Sequence, residues 1–256
     1  MLNLMVIEMR KWWRNAYIVI LLLALSILGY ISVLSTFYLD DILALSTSEG
    51  IAIDIPDPTA DSLFDAFVKN YLQLGIIVCL FIYAKGIGIG VDQACKNYYA
   101  VRSQWAFRIY LPKVMNGILW CLVSFLFSYA LVRYAIWILY PDLGVTLEFY
   151  TLIRMIAATL LCLGLSTAIG VWSNSLIASV IFPVLGVYVS SFLNSFDIDT
   201  PIWLPVALFA FDNSDSNDYS FVVISVGVAV LFILLSWVRP LRKVHCAYSA
   251  MGEYAA

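Results

Sequence analysis

The chain has 256 residues, of which 63% are hydrophobic and only 12% are charged, and its net charge is −3. Soluble domains of this size average about 45–50% apolar and about 25% charged residues, so the composition argues against a water-soluble protein. Apolar stretches fill most of the chain and leave no segment long enough for a soluble catalytic domain. The composition therefore predicts an all-α, polytopic membrane protein, folded as a single transmembrane domain over residues 1–256.

Residues 1–14 predict a short amphipathic helix. One predicted face carries Leu2, Met5, Val6, Met9, Trp12 and Trp13, and the other carries Asn3, Arg10, Lys11 and Arg14. Tryptophan and cationic side chains suit a helix that lies in the membrane interface, and Arg10, Lys11, Trp12 and Trp13 are its candidate anchors. The alternative is that these residues simply extend the first spanning helix.

Six apolar segments follow, each of roughly the 20 residues that a helix needs to cross about 30 Å of hydrocarbon. They cover residues 16–39, 71–89, 114–140, 150–172, 176–192 and 219–238. The first segment lacks a small-residue cleavage site, so it predicts a retained helix and not a secretory signal.

The charged residues predict the orientation. Most of the basic residues precede the first span, separate the second and third spans, or follow the sixth: Arg10, Lys11, Arg14, Lys85, Lys96, Arg102, Arg108, Lys113, Arg239, Arg242 and Lys243. Most of the acids follow the first, third and fifth spans. Because basic residues stay on the cytoplasmic side during insertion, we expect a multi-pass protein of the cell membrane, with both termini in the cytoplasm.

Two features at the outward side are candidates for a substrate path or outer gate. Arg133 and Arg154 lie near outward ends of spans, where they either contact an anionic substrate group, pair with Glu148, or reach toward the interface. Residues 201–211 form an apolar island between acids, too short to span, which predicts a re-entrant hairpin before the sixth span or an ordinary packed loop. The candidate residues are Arg133, Arg154, Pro183, Trp203 and Phe209.

The sequence offers little material for catalysis. His245 is the single histidine, no GxxxxGK[ST] phosphate loop is present, and the cysteines (Cys79, Cys95, Cys121, Cys162 and Cys246) lack metal-site spacing. The predicted spans contain no acid, which argues against an aspartyl dyad or a carboxylate proton relay. We therefore expect no catalytic residue, no metal site, no cofactor and no nucleic-acid partner in this chain.

The connection between the second and third predicted spans, residues 92–112, is polar but rich in aromatic residues. Aromatic and arginine side chains are enriched as anchors of protein interfaces. A short helix here would suit docking into a groove of a cytoplasmic partner, and the alternative is a helix lying on anionic lipid. The candidate contact residues are Asp92, Tyr98, Tyr99, Arg102, Trp105 and Arg108.

This layout resembles the permease subunits of ABC-2-type transporters, which share the interfacial helix, six spans, the inner-loop helix and the re-entrant segment. The family's inner-loop pattern begins with an acid and closes with an Arg followed five residues later by a Lys. Asp92, Arg108 and Lys113 match those positions. Residues 96–97 replace the family's Gly-Thr, and Trp105 stands roughly where its Pro would be.

The resemblance implies a permease without its own ATPase site, in a homodimer or heterodimer with a second protomer and two ATP-binding subunits that carry ATP and Mg. The inner-loop helix would then transmit movement from those subunits, and the second and fifth spans of each protomer would line the route. Within the family, the chain is most similar to compact permeases that export antimicrobial or cytolytic peptides, such as bacteriocin self-immunity and phenol-soluble modulin systems. This resemblance implies a bacterial exporter of a peptide or amphipathic substrate. The rival hypotheses are an ion-driven secondary carrier and a membrane scaffold or accessory subunit.

Overall fold

The structure is a computed structural model that describes residues 2–39, 59–89, 106–141, 149–194 and 222–236. These residues are helical throughout apart from short turns, and no β-strand occurs among them. The helices are α1 (Leu2–Arg14), α2 (Tyr17–Phe37), α3 (Ala60–Ile87), α4 (Ala106–Leu139), α5 (Phe149–Ser173), α6 (Leu176–Asn194) and α7 (Val222–Ser236). The prediction of an all-α chain is confirmed for this part of the sequence.

Four helices are long and apolar enough to cross a membrane, namely α2, α3, α4 over Tyr110–Leu139, and α5. The apolar parts of α6 and α7, Leu176–Val189 and Val222–Ser236, are shorter. Every predicted segment thus contains an apolar helix, while the number of six spans stays a prediction.

The outer surface of these helices is apolar. Ile27 on α2, Phe127 on α4 and Phe182 on α6 are each at least half exposed, at 56%, 50% and 57%. Soluble proteins rarely expose so continuous an apolar surface. This apolar outer surface is therefore suited to contact with lipid.

Successive helices from α2 to α6 run in alternating directions. Phe37 at the end of α2 meets Tyr140, just after α4, with ring centroids 6.2 Å apart, and α5 and α6 are joined by a two-residue turn at Asn174. Helix α7 packs beside α5, where the Trp172 indole donates to the Leu235 carbonyl at 3.4 Å. We call the end that holds α1 the α1 end and the opposite one the far end.

Helix α3 lies at the centre of the bundle and packs against α2, α4, α5 and α6. It begins at Ala60, well before the predicted span 71–89, because a reciprocal capping box between Thr59 and Ser62 starts it. Its first turns are amphipathic and bury Phe64 and Phe67, so the apolar window of the sequence caught only its second half. A single π-helical turn, Tyr71–Gly75, interrupts it.

Helix α4 begins at Ala106, inside the predicted coupling region 92–112, and continues into the third predicted span without a break. Its 34 residues make it about 50 Å long, well over the roughly 30 Å of hydrocarbon. Pro112 lies in its second turn and does not end the helix. The predicted re-entrant segment lies outside the described residues.

Candidate functional site

Trp12 fixes α1 to the bundle at the α1 end. The side chain is fully buried, and its ring covers Gly86 near the end of α3, where any Cβ would overlap the indole. Tyr17 meets the same ring edge-on, with centroids 5.8 Å apart. The indole N–H has no acceptor in the described part of the chain, so apolar packing holds the ring in place.

Glu8 adds an electrostatic contact to the same junction. Its carboxylate lies 3.6 Å from the Lys11 ammonium and 3.9 Å from that of Lys113 on α4. The Glu8 side chain is only 12% exposed and that of Lys113 only 21%, so solvent screens this contact less than a surface ion pair. One carboxylate therefore links α1 to the beginning of α4.

The opposite side of α1 is open. Met9, Arg10 and Trp13 are exposed, and this mixture of apolar and cationic side chains is typical of a helix at a membrane interface. The amphipathic pattern places Trp12 beside Trp13 on this side, whereas the structure buries Trp12 against α3. Lys11 is half-buried next to Glu8. Of the four candidate anchors, Arg10 and Trp13 are thus the two on the open side.

Two tyrosines of α3 tie it to α5 inside the bundle. The Tyr71 hydroxyl lies 2.9 Å from Thr159 Oγ1, and the Tyr83 hydroxyl lies 2.6 Å from Thr167 Oγ1. Each threonine hydroxyl also donates to the backbone carbonyl four residues earlier, at 2.7 Å. Because a hydroxyl carries one hydrogen, each tyrosine must be the donor.

Sequence reasoning missed this pair of hydrogen bonds. The only available signal was the presence of Tyr and Thr in otherwise apolar spans, where an unpaired hydroxyl is unfavourable. Which hydroxyl meets which depends on helix packing, and spacing along the chain does not give that. The contacts link α3 to α5 at two levels of the bundle.

At the far end, Arg133 of α4 contacts two aromatic rings. Its guanidinium carbon lies 4.1 Å from the centre of the Phe64 ring and 5.6 Å from that of Tyr129. Arg133 Nε donates to the Tyr129 hydroxyl at 3.3 Å. Arg154 of α5 lies over a different ring, that of Tyr150, at 5.5 Å. The two candidate arginines therefore have separate aromatic partners.

Pro183 is buried inside α6. A proline in a helix interior removes one helical hydrogen bond, here the one to the Ser179 carbonyl, and favours a kink.

The other candidate residues are distributed as follows. Arg108 lies in the first turn of α4, whereas Asp92, Tyr98, Tyr99, Arg102, Trp105, Trp203 and Phe209 lie outside the described residues.

In the ranges that the structure describes, no three His, Cys, Asp or Glu side chains come together as a metal site. No family model, no curated protein and no solved structure matches the chain. The geometry of the junction at the α1 end is therefore the main basis for a functional hypothesis.

Proposed function

We propose that this chain is the membrane-spanning permease subunit of an ATP-binding-cassette exporter, and that a separate ATPase subunit docks at its α1 end. The observation that carries the proposal is the junction of α1, α3 and α4. Helix α4 runs without interruption from the predicted docking region into the bundle, so displacement of residues 92–105 would move α4 directly.

The contacts of α1 make this movement collective. The Trp12 ring packs directly on Gly86 of α3, and the Glu8 carboxylate pairs with the Lys113 ammonium of α4. Helices α3 and α4 also pack on each other, and Tyr83 continues the connection to α5. A push at the α1 end would therefore shift several helices together, as rigid-body alternation between inward- and outward-facing states requires.

Helix α6 supports a route for an amphipathic peptide. It packs against α3 on one side, while its other side exposes Phe182, Leu185 and Phe192. Apolar side chains of this kind suit the apolar face of a peptide or a second permease protomer. Pro183 provides a place where the helix can bend.

The carrier hypothesis has less support. Ion-coupled carriers generally use carboxylates within the membrane. In the described parts of the four candidate spans the acids are Asp61 and Asp65, both in the first two turns of α3. That position is near a helix end and not at mid-membrane depth.

Co-purification tests the docking assignment. A tagged chain expressed in its native host should bring down a phosphate-loop ATPase in mild detergent, together with vanadate-sensitive ATP hydrolysis. Replacing Arg102→Ala and Trp105→Ala together should abolish both signals, because interface anchors of these types carry much of the binding energy. Unchanged recovery of the ATPase would contradict the assignment.

The matched control is the pair Lys69→Ala and Trp137→Ala. It also removes one cation and one tryptophan, but from exposed positions toward the far end. This pair should leave the ATPase bound. Equal membrane insertion of all variants, measured by membrane fractionation, shows that the loss reflects docking and not folding.

A further inference from the structure

The exposed residues of α4 beside Arg133 indicate how deep Arg133 lies in the bilayer. Tyr134 and Trp137, one and four positions further along α4, are 58% and 50% exposed, and their ring centroids are 6.1 Å apart. Exposed Tyr and Trp side chains near a helix end are typical of the headgroup level of a bilayer. By that pattern, Arg133 belongs near the level of the lipid headgroups.

The orientation of the guanidinium is fixed by its neighbours. The guanidinium carbon lies over the Phe64 ring of α3, 4.1 Å from its centre, and the Nε–H donates to the Tyr129 hydroxyl. Val132 and Ala135, on either side of Arg133 in the sequence, are buried. The side chain is therefore anchored against the bundle and does not simply extend into the surrounding solvent.

The hydrogen bonds of the guanidinium are incomplete. Arg133 Nη2 is buried and has no hydrogen-bond partner within the described residues. A buried cationic donor without an acceptor is unfavourable, because it has given up water and gained no replacement. The best acceptor for a planar guanidinium is an oxyanion that takes two parallel hydrogen bonds.

We infer that Arg133 is a binding site for the phosphate group of an anionic phospholipid in the far-end leaflet. A phosphate at headgroup depth would supply the acceptor that Nη2 lacks among the described residues. A phosphate with a glycerol headgroup leaves its charge free for the arginine, whereas a choline headgroup carries its own cation. This inference requires membrane insertion alone and does not depend on the proposed transport function.

Lipid retention in the purified full chain tests the inference. The chain is first placed in a bilayer disc that contains equal amounts of phosphatidylglycerol and phosphatidylcholine. The protein is then washed with detergent, and the lipid that stays bound to it is measured by mass spectrometry. The native chain should retain phosphatidylglycerol in clear excess. Arg133→Gln should lower that excess by about tenfold, because both charge and paired donors are lost.

Three further variants define the site. Arg133→Lys should retain an intermediate amount, since lysine keeps the charge but not the planar pair of donors. Lys69→Gln, which removes an exposed cation of α3, should change nothing. Glu148→Gln removes the carboxylate that is the rival partner for Arg133, and should also leave retention unchanged.

Two results would overturn the inference. One is an Arg133→Gln chain that elutes as the native protein does on gel filtration and retains just as much phosphatidylglycerol. The other is a native chain that shows no excess until Glu148→Gln is introduced, which would mean that Arg133 pairs with that carboxylate. No peptide is present in the assay, so the readout concerns lipid alone.

Discussion

The hydroxyl of Tyr83 illustrates how single residues hold this bundle together. It is fully buried and donates to Thr167, whose own hydrogen is already committed to the Leu163 carbonyl. Gly117 of α4 leaves room for the same ring, because a Cβ there would lie 2.7 Å from it. One side chain thus joins α3, α4 and α5.

We expect Tyr83→Phe to destabilise the chain by about 0.6–1.5 kcal/mol, since the ring still fills its space and only the hydrogen bond is lost. Unfolding midpoints in a titration with sodium dodecyl sulfate measure the change. Tyr134→Phe is the control, because that side chain is 58% exposed on the surface of α4, and it should have no effect. Equal midpoints for all three chains would show that the Tyr83–Thr167 bond contributes nothing.

Trp12 shows what the sequence could and could not provide at this scale. Periodicity predicts a helix over residues 1–14, and α1 covers Leu2–Arg14. The same pattern groups Trp12 with Trp13 because both are apolar. The two differ because Gly86, more than seventy positions away, leaves a gap that only one of them can fill. Contacts between residues so far apart in sequence are set by helix packing, which a single sequence does not reveal.

At the scale of elements, one aromatic ring and one carboxylate of α1 connect it to α3 and α4. Because the Trp12 ring is buried directly against Gly86, position 86 has no space for a larger residue. We expect Gly86→Ala to destabilise the chain by about 1–3 kcal/mol, as overpacking does. In a Trp12→Ala background, the same change should cost less than about 0.5 kcal/mol, because the clash is gone.

The control for this pair is Gly227→Ala on α7, where a Cβ would meet no atom within 4 Å. It should be neutral or slightly stabilising, in line with helix propensity. Thermal unfolding followed by tryptophan fluorescence in detergent is a suitable readout. Additive effects of Gly86→Ala and Trp12→Ala would mean that the two residues do not touch in solution.

The boundaries of the helices show a second limit on what can be predicted from the sequence. The apolar windows find only the later parts of α3 and α4. Helix α3 begins at Ala60, after a capping box between Thr59 and Ser62, and α4 begins at Ala106 in a polar, aromatic stretch. Both additional segments are amphipathic or polar, so hydropathy assigns them to loops. The extension of α4 matters for the proposed function, because it joins the predicted docking region to the bundle.

For the whole molecule, the alternation of basic and acidic connections predicts which end faces the cytoplasm. The structure adds that the basic residues Lys11, Lys85 and Lys113 lie at or near the α1 end. Docking of an ATPase at that end requires it to be cytoplasmic. The sidedness of the chain is therefore the claim on which the proposed function depends.

Cysteine labelling in intact cells measures that sidedness directly. Lys96→Cys and Asp57→Cys are introduced singly into a chain in which Cys95 and Cys246 are replaced by serine; Cys79, Cys121 and Cys162 are buried. We expect a membrane-impermeant maleimide to label Asp57→Cys in intact cells, and Lys96→Cys only after the cells are permeabilised. Labelling of both cysteines from the same side of the membrane would contradict the account.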